Sequence, residues 1–571
     1  MRISHINYKM SLGLLLLSLV AFSSFSCQKG KQDKSLENEE ALQASTKPGA
    51  PFDWRGANLY FLLTDRFNNG NPENDLNYDR TLNTAPLRGF QGGDIKGITQ
   101  KINEGYFTDL GVNAIWFTPV VEQIHGGTDE GTGFTYAFHG YWTKDWTALD
   151  PNFGTMADLA ELVSAAHSKG IRIVMDAVIN HTGPVTEIDP QWPDSWVRTE
   201  PKCTYDSYEN AVRCTLVENL PDIKTESDEA VELPEALVQK WKEEGRYEQE
   251  VAELDAFFER TGYPRAPKYY IIKWLTDYIR DFGIDGFRAD TVRHIEEEVW
   301  SQFKEECNAA FAEWKKEHPD QILDNTPFYT VGEVYDYDII SSGSQFDFGD
   351  VKVNYYAHGF DSMINFEFKK SANQDYESIF STYATAVNDT GSEIQVLNYL
   401  TSHDDGSPFD KERKRTLETA TKLLLSPGTA QIYYGDESAR NLIVEGTQGD
   451  ATLRSFMNWE DIASNPETQE LLQHWQKLGQ FRRDHPSVGA GSHQMISNEP
   501  YQFSRTYSNA DYKDQVVIGL DLDSGLKELN VENIFEDGTE LRDAYSGTQI
   551  TVKGGKVQLD TRFNIVLLEK I

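Results

Sequence analysis

Cysteine, methionine and positive charge are all scarce in this sequence. Its 571 residues include four cysteines and seven methionines, and 53 Lys and Arg stand against 91 Asp and Glu, a net charge of −38. Nucleic acid is excluded as a partner on that ground, because holding phosphates takes clustered Lys and Arg. The acidic balance suits a neutral ligand and implies no protein partner. Long apolar runs are missing after residue 25, so no later stretch spans a membrane. No GxGxxG or P-loop motif opens a helix after a strand, which weakens a doubly wound nucleotide-binding sheet. No HxH or HExxH spacing occurs in the central region, which argues against a catalytic metal cluster.

What is present is a large apolar content. The chain is 39% hydrophobic and 12% aromatic, enough for a sizeable core, and its length allows two to four domains. Arg2 and Lys9 precede an apolar run over 12–25, and Cys27 follows Ser26 before the chain turns polar. This resembles a bacterial lipoprotein signal over 1–27 with Cys27 as the lipidated residue, followed by a flexible tether over 28–52. The stretch SSFSC lacks the Leu usual three residues before the Cys, so cleavage and release is the alternative. Cys203 and Cys214 lie close together in a loop-like region, where an exported protein would form a local disulfide. Cys307 is left over on an apparent helix and reads as a buried thiol.

Helix, glycine and strand repeat in one order. Thr155 and Asp158 open a helix in the manner of a capping box, Leu159, Leu162, Val163 and Ala166 form its apolar stripe, Gly170 stops it, and 171–175 read as a strand. The order recurs over 98–117, 271–289 and 416–434. Further strands are expected at 59–63, 328–331, 363–366 and 394–397. Alternating helices and buried strands imply a parallel sheet with helices outside. About eight such strands predict an α/β fold, a TIM (β/α)8 barrel, over 53–181 and 265–486. Residues 182–264 interrupt the pattern and read as a domain inserted after the third strand, with a charged helical stretch near its end. Short alternating strands over 487–571 predict a C-terminal antiparallel β-sandwich.

Acids follow these strands. Asp176 ends IRIVMD, Asp290 ends GFRAD, Glu333 ends FYTVGE and Asp404 follows VLNYLTSH. In a barrel those strand ends share one mouth, where active sites lie. A lone acid there is usually a helix cap or an ion-pair partner. Four of them, beside Arg288, His181 and His403, point to chemistry, since clustered like charges shift pKa values at a cost to the fold. Several carboxylates without a Ser or Cys nucleophile fit glycoside hydrolysis, which needs a nucleophile or base and a proton donor.

DAVINH (176–181), GFRADTVRH (286–294), GEV (332–334) and SHD (402–404) resemble, in order and spacing, the four signature regions of the α-amylase superfamily, glycoside hydrolase family 13. TDRFNNGNPEND, GVNAIWFTPV, FHGYW, LPDIKTES and QIYYGDES extend the resemblance, which is strongest to the periplasmic α-amylases of Gram-negative bacteria. It implies Asp290 as nucleophile, Glu333 as general acid and base, and Asp404 as the group gripping sugar hydroxyls in the transition state. Arg288 would hold Asp290 charged and oriented. His139, Tyr141, His181 and His403 would line the cleavage subsite, and Asp176 would support Arg288.

The resemblance also implies structural Ca²⁺. One ion would take Asn180, Asp222 and the main-chain carbonyl of His294. A second would take Asn69, Asn71, Asn74, Asp75, the Gly92 carbonyl and Asp94, oxygen donors of the kind this cation prefers. Arg293 departs from the family, which usually has Lys there, and the two bind differently. That leaves open how the departing sugar is held. The implied activity is a retaining, endo-acting α-amylase on starch, glycogen or maltodextrins, anchored by lipid in a Gram-negative cell envelope or released into the periplasm or medium. Transglycosylation, cyclomaltodextrinase or neopullulanase action, and non-catalytic glycan binding are the alternatives. Cyclodextrin-forming relatives are expected to carry further C-terminal domains.

Overall fold

The computed structural model describes residues 50–388, 394–509 and 512–571. Cys27, the signal segment and most of the tether lie outside the described residues. Eight parallel strands close into a barrel in sequential order. They are β1 (Asn58–Leu62), β2 (Ala114–Phe117), β3 (Arg172–Ala177), β4 (Gly286–Ala289), β5 (Tyr329–Gly332), β6 (Ser362–Asn365), β7 (Val396–Tyr399) and β8 (Thr429–Tyr433). Every residue of these strands is buried. This is why they read as continuous apolar runs rather than as alternating ones.

The helices begin and end where local chemistry dictates. In α1 (Ile95–Asn103) the Asp94 side chain accepts from the Gly97 amide. Gly105, at φ +86°, then turns the chain into α2 (Tyr106–Asp109), so the single helix expected there is two. In α3 (Met156–Ser168) the Thr155–Asp158 capping box is complete. The inserted segment carries α4 (Glu235–Glu243) and α5 (Tyr247–Thr261), again two helices where one stretch was expected. The barrel resumes with α6 (Pro267–Phe282), which Gly283 closes at φ +71°. A Cβ on Gly283 would lie 2.0 Å from Trp314 of α7 (Glu297–Glu317), so the glycine also permits close helix packing. Outside the later strands lie α8 (Tyr376–Asn388), α9 (Thr416–Leu424) and α10 (Pro466–Asp484).

Two excursions build the rim of the barrel. The expected one follows β3. It holds a short antiparallel pair, Val197–Arg198 with Asp222–Ile223, and the Cys203–Cys214 disulfide. The other follows β2 and was not expected: Val121–Gln123 pairs with Thr143–Leu149. Asp145 on that strand is fully buried and meets Lys240 at 2.8 Å and Arg246 at 2.7 Å, docking the α4–α5 hairpin beside the mouth. Paired in this way, a buried carboxylate stays charged instead of destabilising the fold.

After α10 the chain is antiparallel. The strands are β9 (Ser492–Asn498), β10 (Tyr501–Asn509), β11 (Tyr512–Leu520), β12 (Gly525–Asn530), β13 (Glu540–Asp543), β14 (Gln549–Thr551), β15 (Lys556–Thr561) and β16 (Val566–Lys570). Six form a sheet in the order β9-β10-β11-β16-β13-β14, and β12 pairs with β15. Val517, Leu529, Val557 and Leu568 share a buried core that joins the two sheets. Among the described residues, no helix is long and apolar enough to cross a membrane.

Candidate active site

Register places the charged groups. Arg288 on β4 lies beside Asp176 on β3, and Ala289 beside Gly332 on β5, so Asp290 and Glu333 leave neighbouring strand ends together. Arg288, 1% exposed, binds three carboxylates. Its Nη1 lies 2.6 Å from Asp290 Oδ1 and 3.1 Å from Asp176 Oδ1, and its Nη2 lies 2.9 Å from Glu333 Oε1. Asp176 Oδ2 also accepts from the Tyr141 hydroxyl at 2.8 Å and the Trp116 indole at 3.1 Å. Thr291, next to Asp290, sits at φ +50°. That conformation is strained for a β-branched residue. It directs the Thr291 amide onto Glu333 Oε2 at 3.0 Å.

These surroundings separate the acids electrostatically. Burial pushes Glu333 up to about 8; Arg288 opposes this, and the Asp290 and Asp404 carboxylates add to it. Burial likewise lifts Asp176 to about 6 against the pull of Arg288. Asp404 goes the other way. Burial works against its charge, but His403, Arg288 and Arg454 outweigh it and hold the carboxyl below the usual range. Burial lowers His403 to about 4 and also lowers His181 and His139, so all three imidazoles are neutral at pH 7. A protonated carboxylic acid beside ionised ones is the division of labour that acid–base chemistry requires.

Asp290, Glu333, Asp404, Tyr141 and His403 line one open cleft of about 360 Å³. The remaining expected subsite residues surround it. The His181 ring lies 3.1 Å from the Tyr141 carbonyl, and His139 accepts from the Tyr141 amide. Arg293 also lines the cleft, its guanidinium 4.9 Å from the Tyr205 ring and 5.3 Å from the Tyr335 ring.

Tyr205, Tyr335 and Arg454 were missed from sequence. Tyr335 follows Glu333 by two positions and was open to notice. Tyr205 lies in the loop closed by the Cys203–Cys214 disulfide and lines the cleft. Arg454 belongs to no strand-end motif; it donates to the His403 carbonyl at 2.9 Å and pairs with Asp450, which Arg88 also binds.

The residues expected to hold calcium can be examined for unspent donors. Ile223 donates to the Asn180 carbonyl and His181 bridges to Asp222, so Asn180 and Asp222 lie together. Both side-chain polar atoms of Asn180 and the Oδ1 of Asp222 are buried without a hydrogen bond. Arg198 lies 2.9 Å from Asp222, yet burial still pushes that carboxyl well above its ordinary range. Asn180 Oδ1 and Asp222 Oδ1 thus stay buried without a partner, which is costly, and a hard cation would satisfy them. The donors therefore fit Ca²⁺. His294 is buried nearby in the chain after β4, its ring held by the Ala211 carbonyl at 2.7 Å.

At the second set, the Asn69 and Asn74 side-chain oxygens are likewise buried and unpartnered. Asn69 donates to Asp75, and a Cβ on Gly92 would lie 2.6 Å from the same Asp75 oxygen. Asp94 is already engaged by the amides of Gly70, Asn71 and Gly97. The Asn71 amide lies 2.8 Å from Asp94 Oδ2.

Comparison with known proteins agrees with this geometry. The model of the α-amylase catalytic domain matches residues 61–545. The chain belongs to the α-amylase family. It is a glycoside hydrolase. It is 36% identical over 529 residues to the periplasmic α-amylase of Escherichia coli K12, covering 82% of this chain and 73% of that one. It is also 27% identical to a cyclomaltodextrin glucanotransferase of Bacillus sp. strain 6.6.3, covering 88% of this chain and 62% of that enzyme. Among solved structures, an Anoxybacillus α-amylase matches with a TM-score of 0.64 at 24% identity, covering 91% of this chain and 99% of its own. A cyclomaltodextrin glucanotransferase described as having a three-domain ABC distribution matches with a TM-score of 0.61 at 19% identity, covering 90% and 99%. At such identities the structural likeness concerns the fold alone. The last of these corrects one expectation, because a cyclodextrin-forming enzyme does not need domains beyond the third.

Proposed function

We propose that this α-amylase-family hydrolase is a retaining, endo-acting α-amylase on α-1,4-glucans such as starch, glycogen or maltodextrins. The observation that carries this reading is the sharing of Arg288 between Asp290 and Glu333. One guanidinium spanning both carboxyls keeps them close, favouring the roughly 5–5.5 Å spacing of retaining enzymes over the wider gap an inverting enzyme leaves for water.

In the first step an oxygen of Asp290 attacks the anomeric carbon. The bond to the glycosidic oxygen breaks, and Glu333 gives that oxygen its proton. In the second step Glu333, now a carboxylate, takes a proton from water. The water oxygen attacks the same carbon and Asp290 leaves, so the anomeric configuration is retained. Asp404 binds hydroxyls of the ring as it flattens, where binding accelerates the reaction most. Tyr141 is the apolar platform under that ring, with the neutral His139, His181 and His403 as hydrogen-bonding partners. Arg293, between Tyr205 and Tyr335, faces the departing chain.

Asn180, Asp222 and the His294 carbonyl would hold one Ca²⁺, and Asn69, Asn71, Asn74, Asp75, the Gly92 carbonyl and Asp94 a second. Such ions would neutralise buried oxygens and tie rim segments to the barrel. Lipid anchoring through Cys27 in the envelope of a Gram-negative bacterium belongs to the same reading, and likeness to a periplasmic relative supports an exported location.

The likeness to cyclomaltodextrin glucanotransferases supports a second reading, transfer to a sugar acceptor instead of water at the same site. A time course of products from maltohexaose and amylose tests both. Short α-anomeric maltodextrins from internal cleavage are the expected result. Cyclic or lengthened products would favour transfer, and absence of cleavage would overturn both.

A further inference from the structure

A second recess, larger than the catalytic cleft at about 520 Å³, lies where α8, α9 and α10 meet the C-terminal sheet. It shares no lining residue with that cleft. Tyr545 and Tyr376 contribute rings to its wall, and both are held in place. The Tyr545 hydroxyl lies 2.7 Å from His474 Nδ1, while His474 Nε2 faces the Leu417 carbonyl at 3.1 Å. Burial holds His474 near 4, so the ring is neutral at pH 7. With its one proton on Nε2 toward the carbonyl, it accepts from Tyr545. Tyr376 is backed by Tyr501, with centroids 6.0 Å apart and planes 13° apart.

The polar lining divides into spent and unspent groups. Lys422 is taken by Glu418 and by the Ala372 and Gln374 carbonyls, and Asp375 caps Ser378. Asp521 and Asn564 are exposed, and among the described residues neither side chain makes a hydrogen bond. The recess therefore offers two ordered aromatic rings, one free carboxylate and one free carboxamide; among its lining residues Lys422 is the one ammonium and is already paired, while Lys477 stands outside the lining with its Nζ 4.6 Å over the Tyr545 ring. That set disfavours anions. It suits a neutral polyhydroxylated ligand, whose C–H faces pack on rings and whose neighbouring hydroxyls pair with planar polar groups. A polymeric substrate presents many identical units, so one chain can occupy two separate sites at once, and the second contact raises retention without touching the chemistry.

We propose that this recess is a second α-glucan-binding site, built from Tyr376, Tyr545, Asp521 and Asn564, which retains polymeric substrate. The proposal rests on the reading of the substrate as an α-glucan. The test uses the full chain carrying Asp290→Asn, titrated calorimetrically with maltoheptaose. Adding Asp521→Gly and Asn564→Ala should remove one binding event and leave the other. Both side chains are exposed, and glycine suits the φ of +54° at 521, so folding is spared. In the active enzyme the same pair should leave kcat/KM for maltotriose unchanged and weaken retention on granular starch by about tenfold, the worth of two lost hydrogen bonds. Unchanged stoichiometry and unchanged retention would overturn the second site while leaving the catalytic reading intact. Loss of one binding event in a chain whose native form hydrolyses no maltodextrin would overturn the catalytic reading and support this one.

Discussion

Arg288 Nη1 lies 2.6 Å from Asp290 Oδ1, two residues further along the same chain at the end of β4. The same guanidinium reaches Asp176 and Glu333, so one cation organises three carboxylates on three adjacent strands. A lysine has the charge but not the fork that spans them. Arg288→Lys should therefore lower kcat by about a hundredfold or more, within the range that acid–base positioning contributes. Arg288→Met should destabilise the fold by about 3–5 kcal/mol, as expected when a buried ion cluster loses its partner. Steady-state kinetics and chemical denaturation check the two.

Asp290→Asn should reduce hydrolysis by about 10⁴-fold or more while leaving the circular dichroism spectrum unchanged. Retained activity would mean that the nucleophile lies elsewhere. Glu333→Gln should cost about 10²–10⁴-fold, least with substrates whose leaving group needs no protonation.

The raised Glu333 carboxyl gives the pH dependence its sign. As general acid it must carry its proton, so kcat/KM should fall as pH rises through about 8. For stability the native state holds protons that the unfolded chain has released, at Asp176 as well as Glu333. Stability should therefore decline as pH climbs from the ordinary carboxylate range through about 6 and then about 8, and level off above that. Thermal melts of Glu333→Gln across this window should show a shallower decline than the parent.

Chelation should lower the melting temperature, because calcium at about 100 times its dissociation constant adds ~2.7 kcal/mol. Asp222→Ala should abolish most of that response. Protons compete with the cation for Asp222, so calcium affinity should fall on acidification. Differential scanning calorimetry with and without chelator, at two pH values, measures both effects. An unchanged melting temperature would count against the ion.

Replacing Cys203 and Cys214 together by Ala should cost about 2–3 kcal/mol, given the short loop they close. Tyr205 lies within that loop and lines the cleft. KM for maltodextrins should therefore rise more than kcat falls, which kinetics on a series of chain lengths would reveal.

The barrel strands were legible because each is an apolar run wholly buried between helices and core, and the acids at four of the strand ends marked the mouth. Chain breaks were legible only where a glycine followed the apolar stripe. Gly105 and Gly245 lie within it, and each divides a helix that periodicity reads as one. The rim strand Thr143–Leu149 escaped notice because its stabilising partners, Lys240 and Arg246, come from a segment about a hundred residues away.

The residue sequence by itself determined which chemistry the mouth carries. Asp290, Glu333 and Asp404 end or follow their strands whatever the neighbouring loops do, since strand periodicity and burial decide where a carboxylate must emerge. Tertiary structure alone decided how those acids differ. Burial, only partly offset by Arg288, raises Glu333 and Asp176, while His403, Arg288 and Arg454 lower Asp404. Tyr205, Arg454 and the Tyr376–Tyr545 recess likewise exist as sites only after distant segments meet. Charge interactions and shared cavities depend on distance in space, which neither composition nor spacing along the chain encodes.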